Sequence, residues 1–310
     1  MTSVSNYTNS IFQQPWWLES IAPGRWSVAV VEERGVTKAR MPYLVSRKYG
    51  LRCIVQPKLT QTLGPWLAPT DEKPSLRLKH EKEWLTQLVD QLPPFDFFQQ
   101  SWHYSVGNWL PFFWRGFESA SRYTMVLDDL TDPDRLWHGY HDTTQRQIKK
   151  ARRLVEVCDD LGLDQFWKLN VETFRRQGRS MPYSRELIDS VDAACAAHDA
   201  RKVFFAKDTS GRVHAALYLV WDEHSAYYLM SGSDSELRSS GSLSLLMHEA
   251  ILFAATVSGR FDFEGSMHEP IERFFRNFGA TPKQYFQVRG YSRRASVLQG
   301  LRDMFRKAAA

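Results

Sequence analysis

The order of predicted elements in the second half of the chain constrains the fold more than any other feature of the sequence. Hydrophobic periodicity and turn residues predict two helices, then three strands, then helices and strands in alternation. The predicted ranges are 163–176, 184–198 (N-cap Ser184), 242–257 and 269–278 for helices, and 202–207, 213–221, 225–231, 260–264 and 283–290 for strands. This pattern indicates an α+β fold, with a mixed, mostly antiparallel sheet flanked by helices.

The first half of the chain contains a comparable hairpin. Strands at 26–32 and 38–45 flank a turn at 33–35. The second strand ends in Tyr43-Leu44-Val45, and Tyr218-Leu219-Val220 ends a later strand 175 residues further on. The two hairpins suggest an internal repeat, with one copy of the same α+β unit in each half. Chance similarity between two hairpins is the alternative.

A domain boundary is predicted between residues 135 and 136, where Asp132-Pro133 opens a helical stretch. The two predicted units are therefore 1–135 and 136–310. The remaining predicted elements are an ordered loop at 56–74, a helix at 75–92, a pair of strands at 95–101 and 122–127, and an amphipathic closing helix at 296–307. That closing helix is a candidate to pack back on the first unit.

The composition excludes several classes of protein. The chain is 43% hydrophobic and 24% charged, which is typical of globular proteins, and it contains no continuous apolar stretch long enough to span a membrane. Its N-terminus lacks the basic and apolar regions of a secretory signal. The three cysteines lie far apart, which argues against a disulfide framework and a cysteine zinc site. We therefore expect a cytoplasmic protein.

Common catalytic motifs are missing from the sequence. Neither G-x-S-x-G, nor a phosphate-binding G-x-x-x-x-G-K-[ST], nor G-x-G-x-x-G, nor H-E-x-x-H occurs. His138 and His141 have no further metal ligand nearby in the sequence. We therefore expect no metal site.

A serine- and glycine-rich loop at 231–241 connects a predicted strand to the helix that begins at Ser242. A helix N-terminus presents free N–H groups and a partial positive charge, so it suits a diphosphate. Gly241 permits close backbone approach and Arg238 adds a full charge. A well-capped turn without a ligand is the alternative.

The short strand at 260–264 carries two acids. Period-2 alternation places Asp262 and Glu264 on one face and the phenylalanines on the other. Together with His268, these acids are candidates for a general base, with Glu264 favoured because it borders the turn. The alternative is that they cap the following helix and pair with its arginines.

The C-terminal segment 281–310 contains seven basic residues and one acid. Such a charge favours a phosphate-bearing partner, which could be a nucleotide, coenzyme A or RNA. A solvated helix face is the alternative.

These motifs resemble the Fem-like (FemAB-type) branch of the GNAT superfamily of N-acyltransferases. The resemblance is carried by Tyr227-Tyr228-Leu229, Arg238, Gly241, Glu249-Ala250, Phe261 to Ser266 and Phe274 to Ala280, and in the first half by Gly64-Pro65, Asn108 to Phe112, Trp114 to Phe117, Arg122-Tyr123-Thr124 and Arg146 to Ala151. It implies two tandem GNAT-like units packed together, in agreement with the repeat.

The resemblance also implies a chemistry. An amine attacks an activated acyl group, backbone N–H groups hold the carbonyl oxygen, and Glu264 or Asp262 serves as base. Acyl-coenzyme A is the implied co-substrate, bound on the second unit. Its implied contacts are Met230, Ser231, Gly232, Arg238, Ser240, Gly241, Ser242, Leu243, Asn277 and Phe278.

Two subclasses compete. Fem transferases move amino acids from aminoacyl-tRNA to a peptidoglycan precursor, whereas relatives in surface-polysaccharide (O-antigen) pathways resemble amino-sugar acyltransferases that use acyl-CoA. This chain has no heptad segment for a coiled-coil arm, and Phe275 stands where the Fem pattern has lysine. We therefore expect transfer to a nucleotide-linked aminodeoxy sugar, for example a dTDP-amino-dideoxyhexose. The basic C-terminal segment favours tRNA instead, and a degenerate binding module is a third reading.

Aromatic residues make up 14% of the chain, including 11 tryptophans, and such rings often line ligand cavities. The candidates for contact with the sugar nucleotide, in a cleft between the units, are Trp109, Trp114, Arg122, Tyr123 and Tyr183. A core role is the alternative for each ring. A homodimer is also left open.

Overall fold

The computed structural model describes residues 7–265, 267–292 and 294–295. These residues form two units, one made of residues up to 122 together with those from 284 on, and one made of residues 123–283. This division differs from the single boundary predicted between 135 and 136, because the chain returns to the first unit for its last strand. The predicted closing helix at 296–307 lies outside the described residues.

The described residues contain twelve strands and nine helices. The strands are β1 (Trp26–Glu33), β2 (Val36–Lys48), β3 (Leu51–Val55), β4 (Trp66–Leu67), β5 (Phe97–Ser101), β6 (Glu118–Leu127), β7 (Glu156–Cys158), β8 (Arg201–Lys207), β9 (Val213–Trp221), β10 (Ala226–Ser233), β11 (Phe261–Asp262) and β12 (Thr281–Tyr291). The helices are α1 (Pro15–Ile21), α2 (Pro74–Asp90), α3 (Leu110–Phe113), α4 (Pro133–Gly139), α5 (Asp142–Ala151), α6 (Gly162–Arg176), α7 (Arg185–Ala197), α8 (Ser242–Ala254) and α9 (Glu269–Arg276).

The sheet of the first unit is built on the hairpin of β1 and β2. β2 pairs antiparallel with β3, and β3 pairs parallel with β5 through Cys53–Phe97 to Val55–Gln99. β5 then pairs antiparallel with residues 287–291 of β12. The prediction that segments 95–101 and 122–127 form a strand pair was wrong, because β5 takes β3 and β12 as its partners.

The sheet of the second unit repeats this plan. β7, β8, β9 and β10 are antiparallel neighbours, β10 pairs parallel with β11, and β11 pairs antiparallel with β6. Both units thus contain three antiparallel strands, a helix (α2 or α8) and a fourth strand parallel to the third. The internal repeat predicted from the two hairpins is confirmed.

Helix α8 lies at the centre of the second unit's core. Its buried residues lie on nearly all sides, and Leu246, Ala250 and Ile251 are completely buried. A buried leucine or isoleucine contributes about 1.5–3 kcal/mol relative to an exposed one. Packing against β8 and β9 therefore fixes the position of α8, and with it the loop at its N-terminus.

Local sequence signals set several helix ends. Ser184 caps α7 by accepting a hydrogen bond from the Leu187 amide at 3.3 Å, as predicted. Asp132 caps α4 in the same way, with Pro133 as its first residue. None of the helices in the described ranges combines the length and apolarity that crossing a membrane requires.

Candidate functional site

Strands β10 and β11 separate shortly after they meet. They pair through Ala226–Phe261 and Tyr227–Asp262, and β11 ends there while β10 continues to Ser233. The pairing of β10 with β9 also shifts register between Tyr228 and Met230, which places a bulge at Leu229. The result is a gap in the sheet beside the second half of β10, where a ligand can reach backbone.

Polar side chains of α6 contact the free edge of β10 at this gap. Asn170 Nδ2 donates to the Ser231 carbonyl at 2.7 Å, and Thr173 Oγ1 accepts from the Ser233 amide at 3.0 Å. Arg176 donates to the Ser233 carbonyl at 3.2 Å. These contacts satisfy backbone groups that would otherwise lie on an unpaired strand edge.

A cavity of about 260 Å³ opens at the N-terminus of α8. Five of the predicted cofactor contacts line it, namely Arg238, Ser240, Gly241, Ser242 and Leu243. Its other lining residues are Gln147, His214, Ala215, Ser233, Ser239, Ser244 and Phe274. The structure therefore brings the predicted diphosphate loop together around one space.

Gly241 shapes this cavity. Its φ of 81° is left-handed, and a Cβ there would lie 2.7 Å from the Gln147 carbonyl oxygen of α5, so only glycine fits. Within the described chain, the first-turn amides of Leu243 and Ser244 have no hydrogen-bond acceptor. These amides and the exposed Arg238 give the cavity a positive potential, so its residues fit a diphosphate such as that of coenzyme A.

A strained turn follows β11. Glu264 has a φ of 53°, a left-handed conformation that costs a residue with a side chain about 1–2 kcal/mol. Its amide donates to Asp262 Oδ1 at 2.8 Å, and the same oxygen accepts from Thr124 Oγ1 at 2.5 Å. Asp262 is almost completely buried, so its carboxylate holds the turn.

Gly265 completes the turn by close contact with β6. Its amide donates to Thr124 Oγ1 at 2.8 Å, and a Cβ there would lie 2.1 Å from the Tyr123 carbonyl oxygen. The left-handed residue ends the period-2 alternation. The prediction that Asp262 and Glu264 share one face of a strand was wrong, because the strand ends before Glu264.

The Glu264 carboxyl lies in a poorly solvated position. Its Oε1 atom is buried and has no hydrogen-bond partner among the described residues. Burial, with a smaller contribution from the charge of Asp262, raises the pKa of Glu264 well above its ordinary value of 4.5. Strain, an unpaired oxygen and a raised pKa together are typical of functional sites.

Two tyrosines lie within electrostatic range of Glu264. Burial raises the pKa of Tyr228 to about 12 and that of Tyr183 further, and the charge of Glu264 contributes to both shifts. The Tyr183 hydroxyl donates to Asn170 Oδ1 at 3.0 Å, and the Tyr228 hydroxyl is hydrogen-bonded to Ser231 Oγ. We call Glu264, Tyr183, Tyr228, Asn170 and Ser231 the Glu264 cluster.

Residues 140–270 match the family model of the acetyltransferase (GNAT) domain. This part of the chain has the fold of an acetyltransferase (GNAT) domain. The matched range contains Glu264 and the N-terminus of α8. The predicted fold class, α+β with two tandem GNAT-like units, is confirmed.

Solved structures agree with this fold. FemX superposes with a TM-score of 0.66 at 13% identity, over 89% of this chain and 91% of that chain. The C-terminal domain (DUF2156) of a putative lysylphosphatidylglycerol synthetase from Agrobacterium fabrum gives a TM-score of 0.52 at 12% identity, over 90% and 88%. L-PGS from Bacillus licheniformis gives 0.51 at 9% identity, over 83% and 82%. Among curated protein sequences, none matches this chain.

Three other residues predicted on the GNAT domain side occupy different places. His268 is exposed at the N-terminus of α9. Asn277 follows α9, and its carbonyl accepts from the His141 amide at 2.9 Å. Phe278 is completely buried in the core against Tyr140 and Phe263, so its ring has no surface to offer a ligand. Its predicted cofactor contact is therefore replaced by a packing role.

The predicted acceptor contacts are divided between the units. Trp109, Trp114 and Arg122 belong to the first unit, and Tyr123 and Tyr183 to the second. Trp109 packs on the first unit's core, whereas Trp114 is 56% exposed beneath the Lys82 ammonium group. Arg122 donates to Gln287 at 3.3 Å and keeps a buried Nε without a partner in the described chain.

The first unit closes the position that corresponds to the gap beside β10. The loop after β3 lies against the end of β5, where Gln56 Oε1 accepts from the Ser101 amide at 2.6 Å. The Leu63 amide donates to the Ser101 carbonyl at 2.7 Å, and the Leu63 side chain is completely buried. The chain's own loop thus fills this edge in the first unit.

Several residues of the site were not predicted from the sequence. Thr124 lies in a segment that carried the family resemblance, but its link to Asp262 spans 138 positions in the chain. Asn170 is a polar residue on the buried face of an amphipathic helix. That unusual position is the signal by which the sequence could have indicated it. His214 begins an otherwise apolar strand and gave no signal of its own.

Proposed function

We propose that this protein is an N-acyltransferase that transfers an acyl group from acyl-CoA to the amino group of a nucleotide-linked aminodeoxy sugar, such as a dTDP-amino-dideoxyhexose, for surface-polysaccharide synthesis. The observation that carries the proposal is the buried, unpaired carboxyl oxygen of Glu264 beside the gap between β10 and β11. The same unit holds a positively polarised cavity at α8.

Donor binding rests on the cavity at α8. The free amides of Leu243 and Ser244, with Arg238, would hold the diphosphate of coenzyme A, and Gly241 would keep the backbone close to it. Met230, Ser231 and Gly232 would lie alongside the pantetheine arm. Bound acyl-CoA supplies a thioester that is activated for attack by an amine.

Glu264 would take the proton that an incoming ammonium group must lose. Its raised pKa keeps the free carboxyl protonated to higher pH, and a nearby ammonium charge would favour the carboxylate form. The carboxylate would then accept a proton as the amine nitrogen attacks the thioester carbonyl carbon. The carbon–sulfur bond would break as the amide forms, and the sulfur would take up a proton and leave as free coenzyme A thiol. Asp262 would act on the turn that positions Glu264, and His268 stays a secondary candidate.

Acceptor recognition would use aromatic rings and a cation. Tyr123 is 42% exposed, and its carbonyl borders Gly265 beside Glu264. Tyr183 belongs to the Glu264 cluster, and Arg122 keeps an unused donor for a phosphate. The predicted acceptor contacts of Trp109 and Trp114, in the first unit, stay predictions. The expected cytoplasmic location and homodimer stay predictions.

A Fem-type aminoacyl-tRNA-dependent transferase is the second candidate, and one observation favours it. The side chains of Asn170, Thr173 and Arg176 already bond the backbone groups at Ser231 and Ser233. A pantetheine arm laid along this edge would compete with them for the same groups. An aminoacyl-tRNA donor that approaches by another route would not compete for these backbone groups.

Calorimetric titration with acetyl-CoA, and in parallel with uncharged tRNA at two salt concentrations, separates the two candidates. Micromolar acetyl-CoA binding with weak, salt-sensitive tRNA binding supports the sugar N-acyltransferase. Aminodeoxy nucleotide sugars would then be screened for release of free coenzyme A thiol. Tight tRNA binding that survives added salt, with no acetyl-CoA binding, would reject the acyl-CoA proposal.

A further inference from the structure

A buried histidine lines the cavity at the N-terminus of α8. His214, in β9, is 6% exposed and is a lining residue of that cavity. Its Nε2 atom lies 3.2 Å from Asp208 Oδ2. Its Nδ1 atom is buried and has no hydrogen-bond partner in the described part of the chain.

Asp208 determines that the His214 ring nitrogen facing it is protonated. Burial raises the pKa of Asp208, but hydrogen bonds from the Arg212 amide, from His214 and from the Arg212 guanidinium outweigh this and hold the pKa at about 2. Asp208 is therefore a carboxylate at any physiological pH and can only accept. His214 must donate Nε2–H to it, and Nδ1 is left for another partner.

The groups around His214 differ between the two sides of its ring. Asp208 lies on one side, with its own cation Arg212 at 2.8 Å. On the cavity side the charged lining residue is Arg238, and no acid occurs among the described lining residues. The Asp234 amide donates to the His214 carbonyl at 3.0 Å, and the Asp234 carboxylate accepts from the Glu236 and Leu237 amides. An imidazolium ring has two donors, so in that form His214 can donate Nε2–H to Asp208 and Nδ1–H to an anion in the cavity.

A histidine with a packing role alone would leave Nδ1 unsatisfied, which is costly in a buried position. A phosphate oxygen in the cavity removes this cost because it accepts from Nδ1–H while Asp208 accepts from Nε2–H. The chain thus holds an oriented ring nitrogen, without a partner among the described residues, on the wall of the same cavity that the α8 amides and Arg238 line.

We propose that His214 is a direct ligand of the diphosphate group that binds at the N-terminus of α8, with Asp208 as the positioning residue that orients its ring. This inference rests on the proposed function for the identity of the donor, but it requires only that a diphosphate occupies the cavity. It adds a strand residue to the set of loop residues predicted from the sequence.

Two substitutions separate the nitrogens of the ring. The amide nitrogen of glutamine can replace Nε2, whereas that of asparagine can replace Nδ1. Full-length wild type, His214→Gln and His214→Asn are titrated calorimetrically with coenzyme A, with pantetheine and with inorganic pyrophosphate. We expect H214Q to weaken coenzyme A and pyrophosphate binding by ~10-fold or more, the usual effect of losing a hydrogen bond to a charged group, and to leave pantetheine binding unchanged. We expect H214N to restore part of the affinity.

A matched control is His248→Gln. His248 is also buried in the second unit, but its Nδ1 is hydrogen-bonded to the Tyr140 hydroxyl and it does not line the cavity. H248Q should bind all three ligands like the wild type. If H214Q does not fold, as judged from its melting temperature, Asp208→Asn replaces it, since loss of the carboxylate should also weaken pyrophosphate binding.

The outcomes distinguish this inference from the proposed donor. Wild type that binds pyrophosphate but not coenzyme A, with weaker pyrophosphate binding in H214Q, rejects the donor and supports His214. Equal binding of coenzyme A by wild type and folded H214Q overturns the role of His214 and keeps the donor. Binding of neither ligand by the wild type overturns both.

Discussion

Replacement of Glu264 by glutamine should stabilise the protein, and by an amount that depends on pH. The raised pKa of Glu264 means that the folded state keeps a proton that the unfolded state has already released. The contribution of the Glu264 carboxyl to the free energy of unfolding is therefore fully present below pH 4.5. It is lost as the pH rises from there toward the raised pKa. Glutamine has the same shape and no charge, so Glu264→Gln removes this loss.

The size of the effect follows from the linkage between protons and folding. Above pH 4.5, the ordinary value of the carboxyl, each pH unit costs the wild type about 1.4 kcal/mol until the raised pKa is reached. For a chain of this size, 1 kcal/mol corresponds to roughly 2–4 °C in melting temperature. The difference between the melting temperatures of E264Q and the wild type should therefore grow by roughly 3–5 °C with each such pH unit.

Thermal melts at pH 5, 6 and 7 measure this difference directly. Glu236→Gln is the matched control because Glu236 is exposed in the same unit, and its melting temperature should follow the wild type at every pH. Turnover of E264Q should fall by ~10²–10⁴-fold, the usual contribution of a general base, with donor affinity nearly intact. A melting-temperature difference between E264Q and wild type that is constant from pH 5 to pH 7 would refute the reasoning.

Three further substitutions test the turn and the cavity. Gly241→Ala should weaken coenzyme A binding, measured by calorimetry, and should lower the free energy of unfolding by at least about 1–2 kcal/mol, because a φ of 81° is strained for alanine. Unchanged affinity and stability would contradict the assigned cavity geometry. Thr124→Val removes the hydroxyl that bonds both Asp262 and Gly265, and it should lower the free energy of unfolding in urea by about 1–3 kcal/mol. An unchanged urea midpoint would mean that these hydrogen bonds do not stabilise the turn. Arg238→Ala should weaken pyrophosphate binding and leave the melting temperature within about 1–2 °C of the wild type; a clear loss of stability instead would indicate a structural role.

The sequence predicted the second unit's elements well because its local signals agree with its packing. Strand β9 is a continuous apolar run in the middle of a sheet, and α8 is apolar enough to be buried nearly all round. The loop before α8 was identifiable because Gly241 and the polar residues around it stand between two such segments. The cavity that they line follows from that order of elements.

What the sequence could not predict depends on contacts between distant segments. β5 pairs with β12, almost two hundred residues later, and local alternation says nothing about such a partner. The early end of β11 depends on Thr124, which draws Asp262 and Gly265 toward β6. The side chains of α6 on the edge of β10 are equally non-local. Propensity and periodicity describe neighbours in the chain, whereas these features belong to the assembled sheet.

The return of the chain to its first unit affects the order in which the protein can fold. Residues 123–283 form a continuous segment, so the second unit has all its strands once that segment has been synthesised. The first unit begins earlier, but the edge of β5 lacks its partner until residues 287–291 appear. During synthesis, a sheet edge that pairs readily with other chains is thus exposed for the longest time. The unit made first should therefore be the last to complete its fold, and it should depend most on protection from aggregation during synthesis.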